Sequence, residues 1–193
     1  MDLKDKKIGF AMCGSFCTFK KALVAMQALV DEGAEVIPIM SEISYNTNTR
    51  FGDAEYFQSE VKKICGKDII KNVKEAEPIG PRALLDLLIV LPCTGNSLAK
   101  IANGITDTSV TMAVKAHLRN QRPVLIAVST NDGLGAAAKN IGYLLNYKNI
   151  YFVPLAQDDY VQKPTSLIAD FEKIIPAAKD ALDGKQLQPI LIT

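Results

Sequence analysis

Short apolar runs alternate along the chain with longer amphipathic stretches, and the two periods are distinct. Residues 8–12 (IGFAM), 35–40 (EVIPIM), 87–91 (LLIVL), 124–128 (VLIAV) and 150–153 (IYFV) are apolar at nearly every position. Such runs suit strands buried on both faces, as in a parallel sheet covered by helices. Between the first two, Leu23, Met26, Leu29 and Val30 recur at helical spacing, and Gly33 ends the stretch. Further helices are predicted over 55–65, 97–103, 109–120, 135–146 and 167–182. The alternation predicts an α/β sandwich, doubly wound with right-handed crossovers.

Two segments depart from this pattern. Residues 41–54 (SEISYNTNTRFGDA) are polar and rich in Asn and Thr, and read as a long loop, functional or disordered. The tail after Gly184, QLQPILIT, reads either as a sixth strand or as an arm docking on another protomer. With no repeat or linker, residues 1–193 read as one domain.

Composition narrows the function classes. The chain of 193 residues carries 22 Lys plus Arg against 21 Asp plus Glu, a formal net charge of +1. A basic field for nucleic acid or a polybasic membrane anchor is not expected. No apolar run approaches the ~18 residues of a membrane span, and MDLKDKK leads into no cleavage signature. Four cysteines without a CxxC pair and one histidine argue against zinc and suit a reducing cytoplasm.

Ligands of open parallel sheets bind beyond the carboxyl ends of the strands, so the chemistry is sought at the strand-to-helix junctions. At the first junction, Gly14 permits close approach of a ligand, and Ser15 can cap the next helix while donating to an anion. At the second, Pro92 closes the strand and Thr94, Gly95, Asn96 and Ser97 crowd one helix start with polar groups. The third contains Gly133-x-Gly135-x-x-Ala138, a nominal dinucleotide fingerprint with Asp158 or Asp159 downstream. Its first glycine falls too far past the strand end, so close packing is the preferred reading, with Asn131 and Asp132 on a crevice loop. His117 reads as part of a solvated helix face beside Lys115 and Arg119. Cys13 and Cys17 read as buried small hydrophobes rather than a redox pair.

The segment Pro92-Cys-Thr-Gly-Asn96-Ser-Leu-Ala-Lys100-Ile-Ala-Asn103-Gly104 resembles a motif of a flavoprotein family. That family includes phosphopantothenoylcysteine and lantibiotic cysteine decarboxylases. Gly14-Ser15, and Ser41 and Ser44 after the second strand, fit the same pattern. The resemblance implies a flavodoxin-like Rossmann three-layer sandwich with a mainly parallel sheet. It also implies FMN contacts from Gly14, Ser15, Ser41, Ser44, Thr94, Gly95 and Asn96.

Together KKIGFAMCGSFCTF, NTNTRFG, STNDGLG, QDD and QLQPIL resemble a branch of the family found in spore-forming bacteria. That branch implies an oxidoreductase role during sporulation in the mother-cell cytoplasm. A dihydro- or hydroxytetrahydro-dipicolinate precursor would be oxidised there, together with a companion dehydrogenase-like chain that binds NADP. A homo-oligomer is also implied. The alternatives are a non-catalytic scaffold that activates the companion chain, and a stand-alone flavin-dependent decarboxylase. The decarboxylases' histidine after strand two is absent from residues 41–57, and their Pro-x-Met-Asn-x-x-Met-Trp motif is replaced by residues 129–135. A dicarboxylate pocket needs a fixed cation and neutral donors, for which Asn48, Thr49, Arg50 and Asn131 are the candidates.

Overall fold

The computed structural model describes residues 2–192. Five parallel strands form its centre: β1 (Lys7–Met12), β2 (Glu35–Met40), β3 (Leu87–Cys93), β4 (Val124–Thr130) and β5 (Ile150–Phe152). They lie in the order β2-β1-β3-β4-β5. This is the flavodoxin-like doubly wound order, whose topological switch point falls between β1 and β3. Every residue of β3 is buried, as helices on both faces require.

The helices are α1 (Phe19–Asp31), α2 (Glu42–Asn46), α3 (Ala54–Cys65), α4 (Val73–Ala76), α5 (Gly95–Ala102), α6 (Ser109–Leu118), α7 (Ala138–Leu145) and α8 (Ile174–Leu182). Helices α1 and α8 pack against each other, and α4, α6, α5 and α7 form a second series of neighbours. The core between sheet and helices includes Phe10, Met12, Phe19, Met26, Leu29 and Phe152.

Five expectations change. Cys17, expected to be buried, is exposed, because it lies at the open end of the sheet beyond β1. The helix predicted over 167–182 starts later: β7 (Leu167–Ala169) is a strand antiparallel both to the end of β4 and to β6 (Leu155–Ala156). Leu167 and Ala169 face inward and Ile168 outward, and the Asp170 side chain then accepts from the Glu172 amide to start the helical turn. Pro92 does not close β3, which continues to Cys93 with a shift in its pairing to β4. Residues 41–54 are largely ordered by local bonds. Ser41 caps α2, accepting from the Ser44 amide, and Thr49 and Gly52 exchange two backbone hydrogen bonds of 3.1 Å.

His117 is the last of these corrections: it is fully buried. Its position continues the sheet-facing stripe Val110, Ala113, Val114 at helical spacing, and burial follows from that stripe rather than from its charged neighbours. The tail pairs with β6, where Leu155 donates to the Ile190 carbonyl and Ile192 donates to that of Leu155.

Candidate functional site

A cleft of about 820 Å³ opens beyond the carboxyl ends of β1, β3 and β4, at the switch point of the sheet. Its walls come from three junctions that the sequence singled out, and from one that it did not. A smaller hollow of about 550 Å³ adjoins it around Ser41, Asn96 and Lys100 and shares Gly14, Thr94 and Asn96 with it.

At the first junction Gly14 sits close to Ile43, whose Cγ2 lies 3.3 Å from the place of an added Cβ. The Ser15 hydroxyl caps no helix. It crosses instead to the Ser129 hydroxyl at 2.9 Å, joining the ends of β1 and β4. One of those two protons lies between the oxygens, so the other is available to a ligand acceptor. At the second junction the Thr94 oxygen accepts from the Ser97 amide and caps α5. Gly95 stands where a Cβ would lie 2.8 Å from the Thr130 hydroxyl and 2.9 Å from the Asp132 carboxylate. Those two groups are hydrogen-bonded to each other, so only glycine lets α5 start this close to the end of β4.

The Asn/Thr loop contributes Arg50 and Phe51 to the cleft, with the guanidinium 4.9 Å above the Phe51 ring. Among the described residues Arg50 forms no ion pair. Asn48 and Thr49 are placed differently. The Asn48 carboxamide oxygen accepts from the Ala54 amide, and the Thr49 hydroxyl accepts from that of Phe51, so both shape the loop rather than line the cleft. Ser44 is likewise turned inward, donating to the Met12 carbonyl at 3.2 Å beneath Ser41. Asn131 does line the cleft, beside Asp132.

The fourth wall is the segment between β6 and β7. Its base is tied to the end of β4 by Thr165, which donates to the Asn131 carbonyl, and by Ser166, which donates to that of Thr130. This brings Lys163 and Asp158 to the cleft, paired at 3.1 Å. The Ser166 hydroxyl and the Lys163 ammonium hold the Asp158 carboxyl below its ordinary range. Asp158 in turn raises Lys163. The pattern of residues points to Asp158 but gives no sign of Lys163. Below the floor, the buried Cys13 and Cys93 face each other from adjacent strands, and the contact with Cys13, with burial, pushes the Cys93 thiol well up.

The Gly133-x-Gly135 segment has a packing explanation. A Cβ on Gly133 would lie 2.6 Å from that of Leu167, so its bareness admits β7 against β4.

The sequence model of one family, Flavoprotein, matches residues 1–174. The chain belongs to the Flavoprotein family. Within that family it is 43% identical over 190 residues to the B subunit of dipicolinate synthase from Bacillus subtilis (strain 168), covering 98% of this chain and 95% of the relative. The crystal structure of the same B subunit from Bacillus halodurans C superposes with a TM-score of 0.92 at 41% identity, covering 100% and 99% of the two chains. The AnUbiX (PadA1) complex with FMN and dimethylallyl pyrophosphate shares the fold, with a TM-score of 0.65 at 18% identity over 93% of each chain.

Proposed function

We propose that this chain is the flavin-fold member of a two-chain oxidoreductase, dipicolinate synthase, that forms dipicolinate from a dihydro- or hydroxytetrahydro-dipicolinate precursor. The companion chain, the A subunit of that enzyme, would bind NADP. The observation that carries this reading is the similarity, over nearly the whole of both chains, to the B subunit of dipicolinate synthase; Arg50 and Lys163 in the cleft support it.

The cleft fits FMN in size and donor set. Its volume lies within the ~300–1,000 Å³ of cofactor pockets. Gly14, Ser15, Ser41, Thr94, Gly95 and Asn96 converge from the ends of β1, β2 and β3, offering hydroxyls, amides and the start of α5 to a phosphate. Ser44 supports that arrangement from beneath, through Ser41 and the Met12 carbonyl. Bound flavin would supply two-electron redox chemistry.

The chain's own residues would bind and orient the substrate. Arg50 presents a planar fork to one carboxylate. Lys163, released from Asp158, supplies a charge for the second, and Asn131 adds a neutral donor. Asn48 and Thr49 hold Arg50 in place through the loop. The lone histidine lies away from the cleft, which supports oxidation over histidine-assisted decarboxylation.

The reading is tested by mixing the purified chain with its companion, precursor and NADP, and following dipicolinate by its ultraviolet absorbance. Product is expected only when both chains are present. Product from the companion alone at an equal rate would refute the assignment.

A further inference from the structure

A second cavity, of about 460 Å³, lies at the other end of α5 from the cleft, and the two share no lining residue. The C-terminal ends of α5 and α6 and the start of β5 enclose it. Its lining is mainly apolar, with Val114 and Ile150 buried, Ile101 and Leu118 half-buried, and the hydroxyl of buried Thr111 among them. Ile105 and Tyr147 stand at the mouth, 47% exposed each. A mouth of that kind leaves two large apolar side chains in water, and no described residue covers them.

The charge around the cavity has one sign. Lys115 on α6, Arg119 just past its end, and Lys148 line it, with no carboxylate among the lining residues. None of the three forms an ion pair among the described residues. The chain as a whole is close to neutral, so three unpaired cations on one apolar hollow are a local excess. The volume suits a small molecule. A flat ring would be buried between Tyr147 and the aliphatic base, and an anionic group would meet Arg119 and the two lysines at the rim.

We propose that this cavity is a binding site for a small aromatic anion, separate from the cleft at the switch point. The apolar body would enter between Ile105 and Tyr147, and a carboxylate or sulfonate would remain at the cationic rim.

The probe is anilinonaphthalene sulfonate, with uncharged phenyl naphthylamine as the comparison, titrated into the full chain by fluorescence. Saturable binding of the sulfonate is expected. The double variant Lys115→Ala/Arg119→Ala should weaken it about tenfold or more while leaving the uncharged probe unchanged. Ile105→Asp should weaken both. Circular dichroism melting of each variant separates a lost site from a lost fold, because Ile105 and Lys115 are exposed and Arg119 is exposed at the helix end. The proposal is overturned by equal sulfonate affinity in the double variant, or by no saturable binding. Loss of binding in Arg50→Ala/Lys163→Ala would place the probe in the cleft instead and overturn it. A change of oligomeric state in the double variant would show that the face is covered by a second copy, and would equally overturn it.

Discussion

Arg50 is the side chain proposed to grip the substrate, since it lines the cleft, forms no ion pair among the described residues and sits on a stiffened turn. The turn is fixed by the Thr49–Gly52 pair, and Gly52 has φ 144 with Phe57 directly behind it. Arg50→Lys keeps the charge and loses the fork, so turnover of the two-chain enzyme should fall by about tenfold or more, as for a charge-assisted bond of ~1.5–3 kcal/mol. The melting temperature should not move, since Arg50 is exposed. Undiminished turnover would remove Arg50 from substrate binding.

His117 predicts a pH effect on stability. Its Nε2 lies 3.0 Å from the Pro123 carbonyl oxygen, which only accepts, so that nitrogen carries the proton and Nδ1 is left buried without a partner. A proton on Nδ1 would add an unpartnered buried charge. Burial therefore lowers the pKa from 6.5 to about 4. The unfolded chain takes up this proton as pH falls through 6.5, while the folded chain resists until about 4. Stability from this group is thus complete above pH 6.5 and declines towards pH 4, by about 3 kcal/mol in all. His117→Gln, which can still donate to Pro123, should flatten that part of the urea-unfolding profile. An unchanged acid slope would contradict the assignment.

Among the elements, β7 decides whether the fourth wall exists. It is three residues long and pairs with β4 at Ser129 and Thr130. Gly133→Ala would drive a Cβ into Leu167 and should cost about 1–3 kcal/mol as overpacking, several degrees in Tm. The amides of Leu167 and Ile168 should lose hydrogen-exchange protection more than those of β1 and β3. Uniform loss across the sheet would show that β7 is not the element strained. The five central strands were legible because burial on both faces leaves continuous apolar runs such as LLIVL. Strand β7 was not, because Leu167–Ala169 takes its conformation from distant pairing with β4 and β6, and a run of three holds no period. The same non-locality hid Lys163, which reaches the cleft only through the Thr165 and Ser166 bonds to β4. The burial of His117 is written in the Val110, Ala113, Val114 stripe, a signal that its basic neighbours obscure. The cluster at 94–97 was legible because a plain helix cap needs fewer polar groups, and Gly14 and Ser15 because they follow directly on the first strand.

At the scale of the whole molecule, the sheet order places the ends of β1, β3 and β4 around one opening, and the loops there collect the polar chemistry. Among the described residues no helix is long and apolar enough to cross a membrane, and no group of three or more His, Cys, Asp or Glu could hold a metal. The Bacillus subtilis relative matched over 98% of this chain is named as one subunit of a synthase, and the proposal of a companion chain rests on that match. The central claim, that the switch-point cleft holds a flavin, is tested most directly by titrating the purified chain into FMN and following quenching of flavin fluorescence. Saturation at one FMN per chain is expected, with binding abolished in Gly95→Val, where the added side chain would meet Thr130 and Asp132 at the start of α5. Fluorescence that never saturates, or equal binding by a folded Gly95→Val chain, would contradict it.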